Sequence, residues 1–252
     1  IERISITDVL YIAAVLPLVS AGLLWLVFRG YPRRRSPWGE DEPPAAQAAG
    51  RRAFIRVLAI TAAIVLLAEI GAGGETALLP LLVTNHLNLS AANAGTALFL
   101  LGIFTGILLV PGGIASDRLG RRPTMVVGGL LSAAGFAAYA LAGSFTVVVI
   151  GAALRALGSA LVWPAATAWI SEAAPQRRHA LTMGLFGEFE NLGVTIGPLA
   201  GGIVWAQYGI QAAFVAYGVT AVLVAIVSAI AVGGRTAHSL SLEGEGRVRV
   251  ER

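Results

Sequence analysis

The chain has 252 residues, of which 56% are hydrophobic and 13% charged, with no cysteine and 18 basic against 14 acidic side chains for a formal charge of +4. A soluble domain carries about twice that charged fraction, so the composition excludes an ordinary water-soluble fold, and the lack of cysteine excludes disulfides and thiolate metal centres. Every basic residue other than the three histidines is Arg, and nearly all fall in short segments between apolar runs. That placement orients a membrane protein rather than binding nucleic acid.

In chain order, residues 6–28 form a first apolar run long enough to cross a bilayer as a helix. Basic residues follow it rather than precede it, unlike a signal peptide. Residues 29–53 change character, with Arg29, Arg33, Arg34 and Arg35, then Glu40-Asp41-Glu42-Pro43-Pro44, then Arg51 and Arg52. Proline, alanine and mixed charge predict a linker, and the best internal boundary. Six further apolar runs span 56–84, 91–115, 124–142, 145–171, 180–206 and 210–232. The tail, 233–252, is low in complexity and predicted disordered. The expectation is an all-α polytopic membrane protein of seven transmembrane helices. Arginine falls in alternate connections: the linker, Arg118/Arg121/Arg122, Arg177/Arg178 and the tail from Arg235. The rule that such loops stay inside puts the N-terminus outside and the C-terminus in the cytoplasm.

The connection between 91–115 and 124–142 carries Gly113-Ile-Ala-Ser-Asp117-Arg118-Leu119-Gly120-Arg121-Arg122, ahead of Pro123. A basic turn of any membrane protein would need neither the Asp nor both glycines. The pattern G-x-x-x-D-R-x-G-R-R resembles the signature loop of the major facilitator superfamily of secondary transporters. The resemblance implies two six-helix halves joined by a long cytoplasmic connection. On that basis 1–28 is the last helix of the first half, 29–53 the central loop, and 54–232 the second six-helix half, with 233–252 a cytoplasmic tail. It also implies a bacterial inner-membrane setting, a small-molecule substrate, a coupling ion that is most simply H+, and no cofactor. Asp117 would cap a neighbouring helix N-terminus while Arg118, Arg121 and Arg122 hold it there.

Run 180–206 contains Gly193-Val-Thr195-Ile-Gly197-Pro198-Leu-Ala-Gly201-Gly202. This resembles the fifth-helix motif of superfamily antiporters. Glycines four apart also let two helix backbones approach closely, and Pro198 kinks a helix. If 54–232 were instead the first half, the motif would sit where antiporters carry it. On the same run Glu188, Asn191 and Thr195 share a helical face, read as a water-filled path, while Glu190 lies on the glycine side. Arg155 stands about ten residues into its run, ~15 Å deep, within reach of Glu188 or Glu190. Its context, Arg155-Ala-Leu-Gly158-Ser-Ala-Leu-Val-Trp163-Pro164, resembles the superfamily's fourth-helix motif. In 56–84, Glu69 and Glu75 flank Gly71-Ala-Gly73-Gly74, where dense glycine predicts a locally broken helix. These residues are the candidates for a substrate and proton path. His86, His179 and His238 show no metal-ligand spacing, and no nucleophile elbow or phosphate loop supports an enzyme. A seven-helix receptor or a non-transporting scaffold stays open as the alternative to an efflux transporter.

Overall fold

The structure is a computed structural model that describes residues 22, 26, 44–174 and 179–232, with side chains of the long stretches given from Phe54 onward. The chain divides after Asp41 into two compact units. In the first, only Gly22 and Leu26 are described, both helical. The rest of the expected first helix at 6–28, residues 29–43 of the linker, Arg177/Arg178 and the tail 233–252 therefore lie outside the described residues.

The second unit contains six α-helices and, among the described residues, no strand. They are α1 (Pro44–Leu81), α2 (Ala91–Leu119), α3 (Arg121–Ala140), α4 (Phe145–Ala173), α5 (His179–Tyr208) and α6 (Ile210–Ala231); a π turn, Leu82–His86, extends α1. Helices dominate because lipid offers backbone groups no hydrogen-bond partner, so each segment must satisfy its own. Five are long and apolar enough to cross a membrane: Phe54–His86 (α1 from Phe54, with the π turn), α2, α3, α4 and α6. The expected span 180–206 falls in α5, which has the length, 30 residues. Glu188, Glu190, Asn191 and its glycines keep α5 out of that apolar set.

The connections are short and chemically marked. Ser90 caps α2 by accepting the Asn93 amide at 3.3 Å. Gly120, at φ 94°, ends α2 and starts α3 with no intervening loop, and Gly209, at φ 89°, does the same between α5 and α6. A side chain at either φ would be strained, which explains glycine there.

Helix α1 packs chiefly on α5 and α6, α4 on α3 and α2, and α3 on α6. Between helices in lipid there is little hydrophobic drive, so close van der Waals fit carries the association. Glycine supplies it. A Cβ at Gly73 would overlap the Val194 carbonyl of α5, and one at Gly112 would overlap the Ala160 carbonyl of α4. Those two carbonyls lie four residues before Pro198 and Pro164, which have no N–H to offer them. Each proline-freed oxygen thus rests against a glycine of the adjoining helix. The expected break at Gly71–Gly74 does not occur, and α1 runs unbroken through it. Gly71 meets Phe136, Gly73 meets Val194 and Gly74 meets Tyr217, so packing overrides the weak propensity.

Candidate functional site

The most heavily buried charges lie where α1, α3 and α4 meet. Glu75 of α1 is 1% exposed and Arg155 of α4 is 5% exposed. Arg155 Nε donates to Glu75 Oε2 at 2.9 Å, and Arg155 Nη1 donates to Ser132 Oγ at 2.8 Å. Tyr139 Oη donates to the other carboxylate oxygen, Glu75 Oε1, at 2.8 Å. The guanidinium carbon stands 4.3 Å from the centre of the Phe136 ring. An unpaired charge at this depth would be expensive. A pair whose lone pairs and protons are taken up by hydroxyls is the arrangement that offsets the desolvation.

Small residues make room for this cluster. A Cβ on Gly135 would come within 2.7 Å of the Arg155 stem, and one on Gly151 within 2.7 Å of the Tyr139 ring. Gly128 and Gly158 bring the α3 and α4 backbones together on either side of Ser132. The two glycine pairs, 128/135 and 151/158, share a seven-residue spacing, a signal present in the sequence that the sequence reading above did not use.

Beside the pair is a cavity of about 30 Å³, lined by Glu69, Arg155, Ser132, Ser159, Trp163 and Thr220 among others. Such a volume admits a water or two, and although most of the wall is apolar, Glu69, Arg155, Ser132, Ser159 and Thr220 can give a water partners. Two guanidinium donors are used by Glu75 and Ser132, and both Arg155 and Glu69 line the cavity. The structure therefore brings Glu69, Glu75 and Arg155 together. It does not bring Glu188 or Glu190 to Arg155: the pairing anticipated across the midplane is made instead by Glu75. The reason is the α1–α5 contact, in which Gly193 sits against the Glu69 stem and the Leu66 carbonyl and holds that face of α5 against α1.

On α5 the polar stripe faces outward. Glu188, Asn191 and Thr195 are exposed and Glu190 is half-buried. Thr195 Oγ1 donates to the Asn191 carbonyl at 2.8 Å. Gly197 packs against the Ile70 carbonyl and Gly74 amide of α1, and Gly201 against Tyr217, whose hydroxyl donates to the Gly197 carbonyl at 2.8 Å. Pro198 is half-buried within the helix, and Gly202 faces open space.

At the end of the bundle opposite the π turn, Arg121 is the hub of the signature loop. Its Nη1 donates to Asp117 Oδ1 at 2.5 Å and to Ser116 Oγ at 2.9 Å, and its Nη2 to Glu172 Oε1, on α4, at 2.7 Å. Asp117 thus pairs with Arg121 rather than capping another described helix. A Cβ on Gly113 would stand 3.9 Å from the Pro164 side chain, so this face of α2 lies beside Pro164 of α4. Among the described residues there is no cluster of metal-ligating side chains.

Comparison with known proteins agrees with this geometry. The chain is 29% identical over 144 residues to the inner membrane transport protein YajR of Escherichia coli K12, a match covering 56% of this chain and 31% of that one. It is 28% identical over 120 residues to a Na(+), Li(+), K(+)/H(+) antiporter of Planococcus maritimus, covering 46% and 28% respectively. The matched segment is under a third of each relative's length. The bundle superposes on a crystal structure of the peptide transporter POT, a point mutant, with a TM-score of 0.64 at 21% identity, covering 77% of this chain and 45% of that one. The helices and these relatives make this an integral, multi-pass membrane protein. The family model of the Major Facilitator Superfamily matches residues 64–249, and the chain belongs to that superfamily.

Proposed function

We propose that this chain is part of a secondary active transporter of small molecules, working by alternating access and coupled to protons. The observation that carries this reading is the buried Glu75–Arg155 pair with Glu69 beside it at a hydratable cavity. Ionisable groups within a membrane bundle are costly and usually serve a transport path or a proton relay. Glu69 is the carboxyl placed to exchange a proton, because Glu75 is already held by Arg155 and Tyr139. The exposed stripe of Glu188, Asn191 and Thr195 lines the substrate path where the partner half closes over α5. The antiporter among the relatives supports exchange against an ion, and export of apolar or amphipathic compounds fits the glycine motif. The Arg121 hub, joining Asp117 to Glu172, is the latch of the closed cytoplasmic end.

The setting is a bacterial inner membrane with seven helices in this chain, the N-terminus outside and the C-terminus inside. In this register 54–232 is the second half, preceded by the last helix of the first and the central linker. A second register, with 54–232 as the first half, is favoured by one observation. The antiporter-like glycines lie on α5, the fifth helix of the unit, and Arg155 lies on α4, the fourth. Whether the coding sequence of the partner half lies upstream of Ile1 or downstream of Arg252 separates the two.

The functional test uses the full-length protein in proteoliposomes with an imposed pH gradient and a panel of amphipathic cations and weak acids. Accumulation of at least one compound that collapses with a protonophore is expected. Glu69→Gln should remove accumulation and keep downhill exchange. Glu188→Gln should do the same if the α5 stripe carries the proton, so the pair of mutants locates the coupling carboxyl. Gradient-independent movement of every compound in the wild type would rule out proton coupling.

A further inference from the structure

Glu69 belongs at once to the cavity beside Arg155 and to the seam where α1 packs on α5. Counting about 100° per residue around α1, Val65, Ala68 and Ala72 of the cavity wall lie to one side of Glu69. Leu66, Ile70 and Gly73, which meet α5 through their backbone, lie to the other. A Cβ on Gly193 would stand 2.6 Å from Glu69 Cβ, so the missing side chain lets α5 come up to the stem of this glutamate.

Glu190 stands on the matching face of α5. Gly193, Gly197 and Gly201 meet α1 at Glu69, Gly74 and Leu78 in that order, so the two helices run parallel along the seam. These glycines cover an arc of about 80°, and Glu190, one turn before Gly193, falls inside it. Long side chains on a helix lean toward its N-terminus, which takes the Glu69 carboxyl back toward the turn that carries Glu190. Glu69 therefore lies in the field of Glu190 on one side and of Arg155 on the other. Other titratable groups nearby are committed: Glu75 to Arg155 and Tyr139, and the Tyr217 hydroxyl to the Gly197 carbonyl. From α3 and α6 the cavity receives Ser132 and Thr220. Packing alone gives this seam no reason to hold a carboxyl, which is costly inside a membrane. Glu190 is half-buried and Asn191 beside it is exposed, so water on the open face of α5 is within its reach.

We infer that Glu190 is a proton-relay residue, taking up a proton at the open face of α5 and passing it across the α1–α5 seam to Glu69. The inference rests on the reading of Glu69 as the proton-exchanging carboxyl and adds the route by which its proton arrives. Glu190, as a carboxylate, takes a proton from water. The proton then leaves its oxygen for the Glu69 carboxylate, and Glu190 returns to a carboxylate with no other reactant consumed. Two carboxylates that share a site hold one proton between them, so the step puts no free charge into lipid. At Glu69 the proton stands beside Arg155 at the hydratable cavity. Gly193 then has a use beyond helix packing, since any side chain there would hold the two carboxyl-bearing helices apart.

The test follows the carboxyl infrared band of the full-length protein in liposomes after a rapid drop in pH, with no substrate present. The wild type is expected to gain a protonated-carboxyl band, and Glu69→Gln to lose it. Glu190→Gln should keep most of the band but slow its rise about a hundredfold, the lesser end of what a positioned acid–base group contributes. Glu190→Asp should restore most of the rate, which a purely packing role would not require. A wild-type rate of rise in Glu190→Gln overturns the relay. An equal slowing in Glu188→Gln makes the exposed stripe the entry and overturns the route. Failure of both Glu190→Gln and Glu190→Ala to fold also overturns it, because Glu190 is then structural. A band that survives Glu69→Gln defeats the reading of Glu69 and the relay with it. A band lost in Glu69→Gln but rising normally in Glu190→Gln defeats the relay alone.

Discussion

Glu75 and Arg155 illustrate what single residues decide here. Each is nearly solvent-free, and each has its hydrogen-bonding capacity directed by a third residue, Tyr139 or Ser132. Glu75→Gln leaves a buried guanidinium without its counter-charge, a change that costs about 3–5 kcal/mol in proteins generally. Tyr139→Phe removes one hydrogen bond to a charged group, about 1.5–3 kcal/mol. Thermal unfolding of the full-length protein in detergent should therefore rank Glu75→Gln below Tyr139→Phe, and both below wild type. A Glu75→Gln protein as stable as wild type would mean that Arg155 has turned to Glu69 across the cavity. Read from the sequence alone, Glu69 lies deeper in its run than Glu75, yet it is Glu75 that pairs with Arg155. The pairing is set by α3, 57 or more residues from Glu75 in the chain: Tyr139 donates to Glu75, while Ser132 and Phe136 hold Arg155.

Among the elements, α5 is where one sequence motif separates into two physical roles. Gly197 is pressed against α1: a Cβ there would overlap the Ile70 carbonyl and lie 2.6 Å from the Gly74 amide. A Cβ on Gly202, five residues on, would meet no atom of another helix within 4 Å. Gly197→Ala should force α1 and α5 apart and destabilise by about 1–3 kcal/mol. Gly202→Ala should be neutral or gain up to ~1 kcal/mol, because alanine is the better helix former and meets no neighbour. Detergent unfolding of the two variants gives the comparison; equal destabilisation would mean that Gly202 faces a partner surface in the full protein. Gly73→Ala and Gly112→Ala should resemble Gly197→Ala, since each would intrude on a carbonyl freed by a proline.

At the scale of the whole molecule, the arginine placement sets an expected orientation in the bilayer. The chain has no native cysteine, so single thiols can be placed at will. Asn88 and Gly120 have positive φ and are poor sites for cysteine. Asn85 and Ser144 at one end of the bundle and Leu119 at the other are exposed and free of that strain. In intact cells an impermeant thiol reagent should label Asn85→Cys and Ser144→Cys but not Leu119→Cys. The inverse pattern would place the arginine-rich end outside and remove the basis for a cytoplasmic latch. Asp117→Asn, which weakens the Arg121 hub at the same end, should lower transport in the full-length protein with insertion retained. The loss follows from a cytoplasmic closed state weakened by about 1 kcal/mol, the scale of one partly exposed charged contact.

Sequence by itself determined the membrane class, the helical runs from residue 56 onward and the superfamily. Each of these rests on local information: apolar length against bilayer thickness, arginine placement, and a ten-residue loop with its charges and glycines at fixed spacing. Even the approach of Gly193 and Gly197 to a neighbouring helix was legible as a type of contact. What the sequence could not supply was the partner in each contact. A helical face is known from its period, but which of five other helices it meets depends on the sum of all their packings. Tertiary structure alone decided that α5 lies against α1, that Arg155 pairs with Glu75 rather than Glu188, and that Arg121 joins Asp117 to Glu172. The continuity of α1 through its glycines was decided at that level too. Glycine weakens an isolated helix by about 1 kcal/mol per residue, but the backbone contacts that its missing side chain permits are gained only once the neighbouring helix is in place.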